Sequence, residues 1–165
     1  MAKKKLILVL GVVAAAVAVA ATFLPQLVTH VSLSGRTSLD LTATGWWLEA
    51  VDPEAPGTKR PGQGSLNGLA PVVAALLLLL GGLRGARGPV VAGTAFLGGY
   101  LLTLGLQAFN SNGTTPGLGF WLAVGAFLIG FAACLASYAG SEQAQGQTVE
   151  PEVPMIDTKG GDMPF

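Results

Sequence analysis

Residues 117–139, GLGFWLAVGAFLIGFAACLASYA, decide how this chain is read. The stretch holds no charged side chain. At about 1.5 Å of rise per residue, a helix of this length crosses a hydrocarbon core about 30 Å thick. Three further runs share that character: residues 6–24, 66–83 and 89–109 contain no Asp, Glu, Lys or Arg. With 51% hydrophobic and only 11% charged residues, the chain carries too much apolar surface for an ordinary soluble domain. The predicted fold is all-α and integral to a membrane: an antiparallel four-helix transmembrane bundle over residues 1–139. It has a small extracytoplasmic β-hairpin in the loop 25–65 and a disordered cytoplasmic tail at 140–165.

Orientation follows from the basic residues beside the span ends. Lys3, Lys4 and Lys5 abut the first run, and Arg84 and Arg87 fill the turn between the second and third. If all four runs cross, these five residues share one side, and that side is the cytoplasm. Both termini are then cytoplasmic, and the expected location is the cytoplasmic membrane, multi-pass. Arg36, Lys59 and Arg60 fall outside, so the bias is moderate. The first run also fits a cleaved signal peptide, with three lysines, an apolar stretch and Ala-Val-Ala steps. Its length, continuing through Phe23 and Leu24 to Pro25, favours a retained span.

In the outer loop, Val31 and Leu33 alternate with polar residues, as do Leu39, Leu41 and Ala43. Period-two alternation predicts strands at about 28–34 and 37–44, with Gly35 and Arg36 in a two-residue type II′ turn. Trp46 and Trp47 follow. Tryptophan favours the membrane–water boundary, so these two are read as an interfacial anchor, with a binding patch as the sharper alternative. Phe23, Phe109, Phe120 and Trp121 fall near the same boundary. From residue 49 to Ser65 the chain is rich in Glu, Pro and Gly and reads as a linker with little regular structure.

Lipid tails are as apolar as leucine, so helices in a bilayer associate through close backbone approach at small residues. Ala95, Gly99 and Thr103 form such a stripe on the third run, and Ala126, Gly130 and Cys134 form one on the fourth. Ala14, Ala18 and Thr22 form another on the first. The expectation is a seam joining the third and fourth spans. Residues 76–80, uniformly leucine, suit lipid contact. Starting the second helix near Ala70 would leave only about 20 Å of rise, so a helix from residue 66 kinked at Pro71 is favoured. Pro89 and Pro116 are expected in first turns.

Chemistry is sparse. The polar residues at membrane depth are Thr94, Tyr100, Thr103, Gln107, Cys134 and Ser137, and none is ionised at neutral pH. Coupled transporters place ionisable groups in their spans, so that class is disfavoured. The Tyr100 hydroxyl needs a partner at that depth, which predicts an interhelical hydrogen bond. Cys134, the single cysteine, reads as a packing residue without a disulfide partner. His30, the single histidine, reads as a solvated strand residue, and the nearby Asp40, Glu49, Asp52 and Glu54 match no metal motif. Asn112-Gly113-Thr114 is a glycosylation sequon pressed against the membrane. The tail carries five acids against Lys159, with a small apolar island at residues 153–156. No catalytic residue, metal site or cofactor is implied, and no surface suits nucleic acid.

The plan of four spans, a long first outer loop with strands and tryptophan, and cytoplasmic termini resembles that of claudin-like tetraspan proteins. The paired loop cysteines of that family are missing here. Together these features predict a non-enzymatic accessory or assembly protein. Its partners would be the lipid bilayer and other membrane subunits or a second copy, met through helix faces and the Trp-bearing loop. A permeation protein for a neutral solute and an envelope sensor are the alternatives.

Overall fold

The computed structural model describes residues 2–33, 37–51 and 60–139. Four helices, α1 (Ala2–Thr22), α2 (Leu69–Arg84), α3 (Arg87–Asn110) and α4 (Leu118–Tyr138), alternate in direction. Each packs on its neighbours in a closed ring, α1 on both α2 and α4, α2 on α3, and α3 on α4. Three of them, α1, α3 and α4, are long and apolar enough to cross a membrane.

α2 is shorter, with 16 residues, or about 24 Å of rise. It does not run back to residue 66. Gly68 is its N-cap and Pro71 lies in its first turn, where proline costs nothing because that N–H has no intrahelical partner. The kinked helix expected from the sequence is thus replaced by a later start. Pro89 does sit in the first turn of α3. Pro116 does not: it ends a short strand, and Gly117 caps α4.

The bundle is inverted relative to a water-soluble protein. Its interior is made of small residues: Ala14, Ala18, Ala74, Ala123, Ala126 and Ala133 are fully buried. Large side chains such as Val9, Leu76, Leu80, Leu102, Leu128, Phe131 and Leu135 point outward. In water such a face would be a very large exposed apolar patch. In lipid it is the ordinary arrangement, because association comes from close packing.

A few larger side chains fill the interior between them: Leu78 of α2 and Leu97 of α3 are both at 0% exposure and Val90 is at 1%, and α1, α3 and α4 all approach Leu78. A Cβ on Gly11 of α1 would stand 3.0 Å from the Leu78 carbonyl oxygen. One on Gly93 of α3 would be 2.9 Å from Leu78 Cγ, and one on Gly130 of α4 would be 3.5 Å from Leu78 Cδ2. The Leu78 side chain thus fills the hollow between Gly93 and Gly130, while Gly11 lets α1 approach the Leu78 backbone. The leucine run at 76–80 accordingly divides, with Leu76 and Leu80 facing out and Leu78 at the centre.

On one end of the bundle sits a five-stranded antiparallel sheet. Its strands are β1 (Leu27–Leu33), β2 (Thr37–Ala43), β3 (Trp47–Val51), β4 (Arg60–Gly64) and β5 (Thr114–Pro116), in the order β4-β3-β2-β1-β5. β1 and β2 are the hairpin that alternation predicts. Their register ends at Leu33 opposite Thr37, on either side of residues 34–36, where the two-residue turn at Gly35 and Arg36 is expected. Those three residues lie outside the described residues, as do 52–59 and the tail 140–165.

Two further elements correct the expectation of an unstructured linker. β3 pairs with β2, and β4 pairs with β3 across an irregularity between Leu48 and Ala50. β5, from the α3–α4 connection, adds to the other side of β1. The two outermost strands are the ones that contain proline, Pro61 in β4 and Pro116 in β5, as expected for a residue that cannot donate to a ladder.

Candidate functional site

The junction of sheet and bundle carries most of the polar chemistry. α1 ends at Thr22, and the chain turns through Phe23 and Leu24 to Pro25 and Gln26. Gln26 is 2% exposed, and its polar groups are engaged on every side. Its backbone N–H donates to Ala43 O at 2.8 Å, and its carbonyl accepts from the Gly117 N–H at 2.9 Å. Its side-chain Nε2 donates to Ala21 O at 3.4 Å, and Oε1 accepts from the Tyr100 hydroxyl at 2.5 Å. One residue therefore ties the end of α1 to β2, to the start of α4 and to the middle of α3. The partner that Tyr100 requires is present, but it comes from the connection after α1 and not from a facing helix.

α4 begins hard against this connection. Gly119 N–H donates to Pro25 O at 2.7 Å, and a Cβ at Gly117 would lie 2.3 Å from that same oxygen. No side chain fits there without moving backbone.

Trp46 is the second fastening. Thr44 Oγ1 accepts from the backbone N–H groups of Trp46 at 3.3 Å and Trp47 at 3.0 Å, which shapes the turn between β2 and β3. The indole Nε1–H of Trp46 donates to Thr22 Oγ1 at 3.0 Å, and that hydroxyl donates to Val19 O at 2.7 Å. The ring lies so close over Gly68 that a Cβ there would come within 2.7 Å of it. Gly45 N–H donates to Thr22 O, and Gly68 N–H donates to Gly45 O. The Gly45–Trp46 pair therefore clamps the end of α1 to the start of α2. Trp46 is spent on the fold. Trp47 is exposed, beside the exposed Leu48.

Trp121 is also exposed, in edge-to-face contact with Phe120 at a centroid distance of 5.5 Å. With Gly105, Phe109, Pro116 and Val124 these two rings line an apolar hollow of about 560 Å³ beneath β5. Phe109, 91% exposed, and Phe23 stand at the same sheet-facing end. Tyr138 is the exposed aromatic at the opposite end of α4.

The small-residue stripes separate into two groups. Ala14, Ala18, Thr22, Ala126 and Gly130 are buried, and Cys134 is half-buried. On α3 the inward face is Gly93, Thr94, Leu97, Tyr100 and Leu104. Gly130 faces Thr94, whose hydroxyl donates to Val90 O at 2.9 Å. Ala95, Gly99 and Thr103, expected to meet α4, instead lie on the exposed side of α3, and a Cβ on Gly99 would meet nothing within 4 Å. They form the wall of an open lateral cavity of about 660 Å³, bounded by Leu66, Asn67 and Ala70 and by Phe96 and Gln107. The cavity exists because α2 starts at Leu69 and leaves the upper part of α3 uncovered.

Among the described residues no group of His, Cys, Asp and Glu is placed to hold a metal ion. His30 is paired: its Nδ1 is 2.6 Å from Asp40 Oδ1, directly across the β1–β2 register. No family model matches the sequence, and no curated protein matches it either.

Gln26 and Gly93 were not singled out in the sequence. A lone amide after Pro25, wedged between two apolar stretches, is the signal for the first. For the second the only signal is that Gly93, Leu97, Tyr100 and Leu104 share helical spacing.

Proposed function

We propose that this chain is a four-span accessory or assembly protein that binds a helix of another membrane subunit, or of a second copy, on the outer face of α3. The observation that carries this reading is the Ala95–Gly99–Thr103 stripe, which faces away from the bundle. Inward small residues are explained by internal packing. An outward stripe at four-residue spacing is the surface on which a further helix can approach to backbone contact. The cavity beside it gives room for the partner's side chains.

Orientation follows the basic residues. Lys4, Lys5 and Arg84 meet at the end of the bundle away from the sheet, and Arg87 opens α3 at the same end. That end is assigned to the cytoplasm, and the sheet to the outside. α2 spans with its neighbours although it is short, because Gly68 abuts Thr22 through Gly45 and Arg84 abuts Lys4 and Lys5. α1 is a retained span in this reading, since Ala14, Ala18, Ala21 and Thr22 are fully buried within the bundle. The permeation alternative gains no support, because Thr94, Leu97, Ala126 and Gly130 fill the α3–α4 seam.

Cross-linking tests the reading. In a Cys134→Ser background, Gly99→Cys is expected to give an oxidant-dependent product larger than the monomer in native membranes, and Gly125→Cys on α4, equally open, is not. Gly99→Leu is expected to lower the native size after mild detergent extraction without loss of thermal stability. A monomer of unchanged size for both wild type and Gly99→Leu in several mild detergents would overturn it.

A further inference from the structure

The seam between α1 and α2 holds two cavities on one line. Near the end remote from the sheet, Lys4, Lys5 and Leu8 of α1 and Leu83 and Arg84 of α2 line a space of about 220 Å³. Farther along, Val12, Ala16 and Val19 of α1 and Val72, Leu76 and Leu79 of α2 wall a second, of about 390 Å³. Positions 4, 8, 12, 16 and 19 fall on one stripe of α1, and 72, 76, 79 and 83 fall on one stripe of α2, because residues three and four apart share a helix face. Both cavities therefore open on the same side of the helix pair.

Their chemistry differs along that line. The first is flanked by three cations, and no acid is among the described residues that line it. The N-terminus of α1 adds its positive dipole end there and offsets the negative end of α2. The second is walled by aliphatic side chains alone. Cations at the foot of an interhelical groove, continued by an aliphatic trough, match a phosphate carrying an acyl chain.

We propose that the α1–α2 seam binds one anionic phospholipid. Its phosphate sits among Lys4, Lys5 and Arg84, and one acyl chain lies along Val12, Ala16 and Leu76. The acidic segment 140–165 also complements the three cations in charge. A free inorganic phosphate does so too. Neither would use the aliphatic trough, which runs on to Val19, about 16 Å of helix beyond Leu8. The site shares no residue with the outer stripe of α3, so the Gly99→Leu protein serves as a control.

Full-length protein in a zwitterionic detergent is given phosphatidylglycerol or phosphatidylcholine at equal mole fraction, and retained lipid is counted by native mass spectrometry. Phosphatidylglycerol is expected to be retained in preference, with inorganic phosphate unable to displace it. Lys4→Gln/Lys5→Gln/Arg84→Gln is expected to weaken retention at least about tenfold, with Arg84→Lys and Gly99→Leu close to wild type. Ala16→Phe, an exposed position in the trough, is expected to weaken retention while all three cations remain. Equal retention of the two lipids, an unaffected triple variant, or an unaffected Ala16→Phe would overturn the proposal. Displacement by phosphate alone would reassign the site to a free anion. Retention that appears only in Glu142→Gln/Glu150→Gln/Glu152→Gln would give the seam to the chain's own acidic segment. Either result removes the lipid from it.

Discussion

The middle of the bundle and its junction with the sheet are held together by different means. In the middle, Leu78 and the glycines around it meet with no polar side chain except the Thr94 hydroxyl, which turns back onto its own helix. At the junction, Gln26, Tyr100, Trp46 and Thr22 are hydrogen-bonded side chain to side chain or to backbone. Among lipid tails, helices gain little from apolar burial, so the middle depends on shape. The junction joins a structure made for water to one made for lipid, and there an unpaired donor or acceptor is costly.

The contrast breaks most severely at Leu78. Leu78→Ala opens a hollow between Gly93 of α3 and Gly130 of α4, and a loss of about 2–5 kcal/mol is expected from such truncations. Thermal unfolding in detergent checks it. A loss below about 1 kcal/mol would mean that the helices collapse freely onto the gap, and the shape argument would fail.

Gln26 sharpens the other half. Gln26→Leu leaves the Tyr100 hydroxyl buried and unpaired, with an expected cost of about 1–3 kcal/mol. Tyr100→Phe added to it is expected to recover part of that loss. A double-mutant cycle measures the coupling, and two additive penalties would show that the 2.5 Å contact contributes nothing as a pair.

The smallest effect belongs to the outer sheet. His30 and Asp40 pair across strands, but both are open to solvent, and exposed ion pairs contribute about 0–1 kcal/mol. His30→Ala is expected to leave the unfolding midpoint almost unchanged. A large drop would show that the sheet is fastened from its exposed face as well as through Gln26 and Trp46.

How much of this was legible in the sequence follows the same division. Helices announce themselves by length and apolarity, and all four were placed, with α2 starting later because Gly68 must pass beneath the Trp46 ring. The β1–β2 hairpin was visible through alternation. β3, β4 and β5 were not, because they form by pairing with a distant neighbour and not by local preference. Arg60–Gly64 is held as a strand by β3 alone, and an edge position tolerates its proline and glycines. The α3 stripe failed for a related reason. Small residues recur on both faces of that helix, and only the position of α2 and α4 determines which face is covered. Among the interaction candidates, Trp47 and Trp121 are exposed, whereas Trp46 is held inward by the Thr22 hydroxyl and the Gly68 surface, neither of which adjacency in sequence reveals.

The prolines at the two rims of the sheet have a consequence for crowding. An incoming strand that approached β4 would find a donor missing at Pro61, and one that approached β5 would find three residues ending at Pro116. Each rim thus offers a broken template for further pairing. Sheets of neighbouring copies brought rim to rim are therefore poorly suited to knit into a continuous fibre.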